Sequence, residues 1–172
     1  LATNRADILD PAVVRDGRVD VKVYVSRPTL ESAGEIFNIH LKGVPLADGL
    51  KNKDIAASAA KKLFSDEYKY YTVIDRKDPE KPKYFLLKHI VNGALIAGIV
   101  DKATTLAIRR DSGHPDKNPG GVKEQDLLDA IDVVFKQNIG MDHEDPMNEF
   151  IENEGIEVVG MDKYVSLKSA LS

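Results

Sequence analysis

The chain has 172 residues, enough for one ordinary domain or two small ones. It contains no cysteine, which excludes disulfides and thiolate zinc sites, and no apolar run nears the roughly 20 residues that span a bilayer. With 28 acidic residues against 24 basic ones the net charge is −4, which argues against sequence-independent nucleic-acid binding; a reducing cytoplasm is the expected setting.

The first 28 residues, LATNRADILDPAVVRDGRVDVKVYVSRP, carry the densest chemistry. Asp10-Pro11 is a helix-start signal, because Asp10 can accept from free amides and proline is tolerated in a first turn. Asp16-Gly17 breaks that turn, and Arg15 and Arg18 leave from either side of the break. A guanidinium presents a fork of donors suited to a phosphate, so two arginines held here could grip one together. The plainer alternative is that Arg15 interacts with the helix C-terminus and Arg18 is an ordinary surface residue. Val19 to Val25 alternates loosely with polar residues and predicts a strand closed by Arg27-Pro28. The chain thus opens inside what reads as a sheet, and is expected to be cut from a longer one at its N-terminus.

From Thr29 the pattern turns helical. Thr29 to Leu41 predicts a helix with Thr29 as cap and Leu30, Ala33, Phe37 and Leu41 on one face, beside Ile36. A linker with Gly43, Pro45 and Gly49 follows, pinned by Leu46. Asn52 to Tyr68 predicts a second helix, capped by Asn52 and striped by Ile55, Ala56, Ala59, Ala60, Leu63 and Phe64. KYYTVID at 69–75 and KYFLLKH at 83–89 predict two antiparallel strands joined by the polar loop RKDPEKP. Its basic residues Arg76, Lys77, Lys81 and Lys83 read as a solvated turn rather than a nucleic-acid platform. Asn92 to Arg110 is the clearest helix, capped by Asn92 and periodic from Leu95 to Ala107. Gly93 and Ala94 fill its first turn, where amides are free and nothing bulky projects, so a flat ligand such as adenine could approach the backbone. His114 lacks a partner at ligand spacing. Val122 to Asn138 predicts another helix, with an apolar side of Leu127, Leu128, Ile131, Val134 and Phe135. Met147 to Asn153 predicts a short helix packed through Phe150 and Ile151. Two short strands are predicted at 156–159 and 163–167. His143 among carboxylates reads as surface polarity, and no metal site is expected.

On these residues the chain resembles the C-terminal part of an AAA ATPase module. Asn4 stands where that family has the asparagine that senses the γ-phosphate. Arg15 and Arg18 match its arginine fingers, which reach into the neighbouring subunit's nucleotide site. Asp10, Pro11, Gly17, Asp20 and Pro28 also fall where the family places them, while Asp16 replaces a frequent proline and Val19 a frequent phenylalanine. Asn92-Gly93-Ala94 resembles the Ser-Gly-Ala-type start of the lid helix, which makes Gly93 and Ala94 adenosine-side contacts. The strand pair before this helix is similar to that of the actinobacterial proteasome-associated ATPases, the Mpa/ARC group. The chain ends Lys168-Ser169-Ala170-Leu171-Ser172, without that group's penultimate tyrosine.

The resemblance implies a mostly α fold: a helical lid over 29–172, with a β-hairpin insertion at 69–89 and C-terminal strands at 156–167. A remnant of the α/β ATPase subdomain over 1–28 precedes it. It further implies the C-terminal fragment of a hexameric ATPase that unfolds protein substrates and moves them into a proteasome-type protease. The implied partners are identical ring neighbours, protein substrates and a 20S core, with no nucleic acid and no membrane. ATP and Mg2+ would be used by the parent protein. No G-x-x-x-x-G-K-[ST] occurs in the sequence, so the chain alone is expected to be inactive. The alternatives are another AAA remodelling machine, of membrane-fusion or severing type, and a non-enzymatic interaction module.

Overall fold

A computed structural model describes residues 23, 25–112 and 120–164. In chain order these form α1 (Leu30–His40), α2 (Asn52–Leu63), β1 (Lys69–Asp75), β2 (Asp78–Leu86), a 3-10 turn (Leu87–His89), α3 (Gly93–Ser112), α4 (Glu124–Asn138), α5 (Glu144–Asn153) and β3 (Val158–Lys163). The fold is mostly helical with a small antiparallel hairpin inserted between α2 and α3, as the sequence predicts. Asn4, Arg15, Arg18 and His114 lie outside the described residues. Of the strand expected at 19–25 only Val23 and Val25 are described, and both are exposed coil.

The first four helices pack pairwise: α1 on α2 and α3, α4 on α2 and α3. Helical spacing brings Ala33, Phe37 and Leu41 of α1 against Ile55, Ala59 and Leu63 of α2, Ile96, Ile99 and Ala103 of α3, and Leu127 and Ile131 of α4, all buried. The many alanines leave little side chain between α1 and α2; a Cβ added at Gly34 would sit 3.9 Å from that of Ala60. Burying each large aliphatic side chain contributes about 1.5–3 kcal/mol.

Thr29 caps α1 as predicted. Its hydroxyl accepts from the Ser32 amide and Ser32 Oγ accepts from the Thr29 amide, at 3.3 and 2.8 Å. Leu30, expected on the buried face, is instead 46% exposed. Asn52 does not cap α2: it is the first helical residue, and its side-chain amide donates 3.0 Å to the Leu41 carbonyl, satisfying the end of α1. The helix stops at Leu63, short of the expected Tyr68, and Tyr68 turns into the core ahead of β1.

The sheet differs from expectation in a consequential way. The hairpin turn is tighter than the polar run suggests, and β2 begins at Asp78, carrying Pro79 and Pro82. Among the described residues the strand order is β2-β1-β3, which leaves β2 at an edge, where a missing amide N–H costs no ladder bond. The residues expected to continue that strand, Leu87–His89, form the 3-10 turn instead. Near the C-terminal end the described residues contain one strand, Val158–Lys163; it pairs antiparallel with β1, from Tyr71 opposite Lys163 to Asp75 opposite Val158. The stretch at 165–167 lies outside the described residues.

One side chain and one backbone bridge fix the loops. The Asp75 carboxylate accepts from the Lys77 and Glu157 amides, both at 3.1 Å, tying the hairpin turn to the start of β3. The Lys77 amide first, with that of Glu157, holds Asp75 below the ordinary carboxylate range. Leu46 and Val122 form a parallel bridge, with the Ala47 amide donating to the Val122 carbonyl at 3.0 Å and the Val122 amide to that of Pro45 at 2.8 Å. Gly121 sits against this bridge at φ +68°, where a Cβ would meet the Leu46 carbonyl carbon at 2.5 Å, so only glycine fits.

Candidate functional site

The start of α3 has the geometry the sequence predicts. Asn92 Oδ1 accepts from the Leu95 amide at 2.8 Å, and the Asn92 carbonyl accepts from Ile96 at 3.2 Å. Val91 and Ile96 are buried on either side, which anchors the turn. Between them Asn92, Gly93 and Ala94 face solvent. A Cβ at Gly93 would meet nothing within 4 Å, and its φ is not in the left-handed region. Neither packing within the described chain nor backbone conformation therefore demands glycine there.

A second open feature is a groove of about 740 Å3 between α1 and α2. Its floor is small and apolar, from Gly34, Ala57 and Ala60; Glu31 and Glu35 line the α1 side, Lys53 and Lys61 the α2 side. Leu30, exposed in the fold, lines one end.

The other ionisable groups are engaged in structure. Arg110, at the end of α3, donates to Asp126, to Asp111 at 3.0 Å and to the Gly121 carbonyl at 2.7 Å. Asp126 also accepts from the Lys123 amide at 2.7 Å, capping α4 from inside its first turn. The Arg110 guanidinium holds Asp111 below the usual carboxylate range, aided by the Gly120 amide. Lys62 donates 2.9 Å to Asp132, which also accepts from the Tyr68 hydroxyl, and this joins α2, α4 and the approach to β1. Burial, followed by the Asp132 carboxylate, pushes the Tyr68 phenol far above its ordinary range. The Arg110–Asp126, Lys62–Asp132 and Tyr68–Asp132 pairings were not visible in the sequence, since each joins residues 16 or more positions apart. Asp126 alone left a local trace, as an acid in a helix's first turn.

Lys77, Lys81 and Lys83 of the hairpin are each paired with a carboxylate. Lys77 lies 3.3 Å from Glu157, Lys81 3.3 Å from Asp78 and Lys83 3.2 Å from Glu154. His143 sets Nε2 3.0 Å from the Asn138 carbonyl and rests its ring against Tyr70, with centroids 5.1 Å apart. Among the described residues no three histidines or carboxylates are grouped to hold a metal, and no helix is long and apolar enough to cross a membrane.

His89 occupies the join between sheet and helices. Nδ1 accepts from the Leu86 amide at 2.9 Å, and the ring stacks on Phe150 with centroids 4.5 Å apart. Burial first, and then the Lys88 charge, lowers its pKa from 6.5 to about 4. A base whose folded pKa is depressed resists protonation only in the folded state. Its contribution is therefore intact above the unfolded pKa of 6.5 and is lost as pH falls from there towards 4. We expect stability to drop by on the order of 2 kcal/mol between pH 7 and 5. Urea midpoints measured across that range should show this slope, and His89→Gln should flatten it.

The chain is related to AAA ATPases that form ring-shaped complexes. Over 143 residues it is 36% identical to an AAA ATPase forming ring-shaped complexes from Bifidobacterium animalis subsp. lactis, an alignment covering 80% of this chain and 27% of that protein. Counterparts with the same description are 35% identical over 147 residues in Corynebacterium urealyticum, covering 76% and 27%, and 32% identical over 150 residues in Kocuria rhizophila, covering 79% and 25%. The chain thus spans about a quarter of the length of the curated relatives it matches. No protein-family model matches it.

Proposed function

We propose that this chain, related over most of its length to AAA ATPases that form ring-shaped complexes, supplies the lid and the trans-acting arginines of such a ring. The observation that carries the reading is the bare first turn of α3. A Cβ at Gly93 would meet nothing within 4 Å, so packing does not require glycine there, as expected where another group must come close to the backbone. We assign Gly93 and Ala94 to the adenosine side of the nucleotide.

In this reading residues 1–28 are the end of the α/β subdomain and 29–172 the lid. Asn4 senses phosphate in its own subunit, while Arg15 and Arg18 place positive charge on the neighbour's nucleotide as charge develops during phosphoryl transfer. ATP and Mg2+ supply the phosphoryl chemistry; this chain's own residues orient the nucleotide and complete the charge around it. Rotation of the lid against the α/β subdomain turns occupancy into motion. The groove between α1 and α2, acidic on one side and basic on the other, is a fitting contact for a ring neighbour. The finer reading is a cytoplasmic hexamer that unfolds proteins and passes them to a proteasome-type core. Its support is the strand insertion before α3, the feature of the sequence that resembles the proteasome-associated group.

The test is steric. Gly93→Leu and Ala94→Leu, made in the complete protein, should raise the KM for ATP at least about tenfold, a loss of about 1.4 kcal/mol in binding. The same changes in the isolated chain should leave unfolding within about 0.5 kcal/mol, because both positions are exposed. An unaltered KM would remove Gly93 and Ala94 from the nucleotide site.

A further inference from the structure

The chain reaches the exposed start of α3 by a short, closely bonded path. β2 ends at Leu86, the 3-10 turn takes Leu87 to His89, and Ile90 and Val91, both buried, lead to Asn92. The Leu87 amide donates to the Tyr68 carbonyl at 2.9 Å, and the Ile90 amide to that of Leu87 at 3.0 Å. The Leu86 amide donates to a side chain, His89 Nδ1, at 2.9 Å. Leu86 is itself buried, so water is a poor substitute for that acceptor.

The His89 ring is firmly seated. It stacks on Phe150 with centroids 4.5 Å apart and lies 5.4 Å from Phe85, and both of those rings are buried. Burial also disfavours the imidazolium, which leaves Nδ1 free to accept. Three residues later, Asn92 Oδ1 accepts from the Leu95 amide at 2.8 Å. One side chain thus closes the turn before Ile90, another caps the helix after Val91, and the two buried residues join them.

We propose that His89 is a positioning residue for the nucleotide site: by holding the end of β2 through Nδ1, it sets where Asn92, Gly93 and Ala94 lie. The consequence for nucleotide rests on the assignment of Gly93 and Ala94 made above. His89 acts through the turn and not by contact with the nucleotide, so its loss weakens binding without slowing the chemical step.

The first test needs no substitution. An accepting Nδ1 places the ring proton on Nε2, so imidazole nitrogen spectra of the parent chain should show that tautomer, and the opposite tautomer would overturn the proposal. Two variants then separate the acceptor from the packing. His89→Leu keeps an apolar side chain beside Phe85 and Phe150 but has no acceptor, whereas His89→Asn puts an amide oxygen near the place of Nδ1. In the chain without nucleotide, His89→Leu should speed hydrogen exchange of the Leu95 and Ile96 amides about fivefold, and His89→Asn should keep it within about twofold of the parent. Ile55→Val, a change at a buried position of α2, should also leave those two amides near the parent rate. In the complete protein His89→Leu should raise the KM for ATP about threefold at unchanged kcat, with His89→Asn near the parent. Unaltered exchange in His89→Leu, or equal quickening in His89→Asn or Ile55→Val, would overturn the positioning role. Quickened exchange in His89→Leu alone would support it, and an unaltered KM alongside would count against the assignment of Gly93 and Ala94 instead.

Discussion

Phe85→Ala is expected to cost about 3–5 kcal/mol of stability, more than any other single change in the sheet. Phe85 is fully buried on β2, where three parts of the molecule meet. Its ring lies 6.3 Å from Tyr70 and from Tyr71 on β1, 5.4 Å from His89 in the 3-10 turn, 6.1 Å from His143 and 5.7 Å from Phe150 on α5. Truncation removes the apolar contacts and leaves a hole that Tyr70 and Phe150 cannot close, since Tyr70 is held by Phe135 and His143 and Phe150 by His89. The loss should be local in character. Hydrogen exchange should speed first in β1, β2, β3 and α5, while the buried amides of α3 and α4 stay protected to higher denaturant. A loss below about 1 kcal/mol in urea titration would mean that the sheet is fastened to the helices elsewhere.

The second large effect concerns the arginines. Removing a trans-acting arginine from a phosphoryl-transfer site costs about 10³-fold or more in turnover. Arg15→Ala together with Arg18→Ala in the complete protein should therefore abolish measurable ATP hydrolysis, while leaving nucleotide binding by the same subunit largely intact. The pattern follows from the proposed roles, in which the arginines act on the neighbour's phosphate while Gly93 and Ala94 contact the adenosine side in their own subunit. Equal loss of binding and turnover would instead place them in the cis site.

How far the fold was legible depended on whether its determinants were local. Thr29 and Asn92 were read correctly because each cap bonds within three residues of itself. The hairpin was readable from its aromatic and β-branched runs. Asn52 misled because the same side chain that can cap its own helix was drawn to the free carbonyl of Leu41. The tight turn at Arg76-Lys77 was obscured by two prolines that look like breakers, and only the edge position of β2 explains them. The pairing of β3 with β1 spans more than 80 residues, and no periodicity within β3 announces a partner: its residues are nearly all exposed.

The position of Gly93 and Ala94 in the first turn of α3 was legible from the cap that precedes them. The Arg110–Asp126 pair, the Lys62–Asp132–Tyr68 cluster and the Arg27–Glu149 pair join distant positions, and only the folded chain brings them together.

The most direct measurement is complementation between two inactive subunits of the complete protein. One carries Arg15→Ala and Arg18→Ala; the other keeps both arginines but has its own phosphate-binding lysine replaced. If the arginines serve the neighbouring site, a mixed ring contains interfaces where an intact nucleotide site meets intact arginines. An equimolar random mixture should then recover about a quarter of the wild-type ATPase rate, each site needing one intact member on either side of a cyclic interface. A mixture as inactive as its two components would contradict the account.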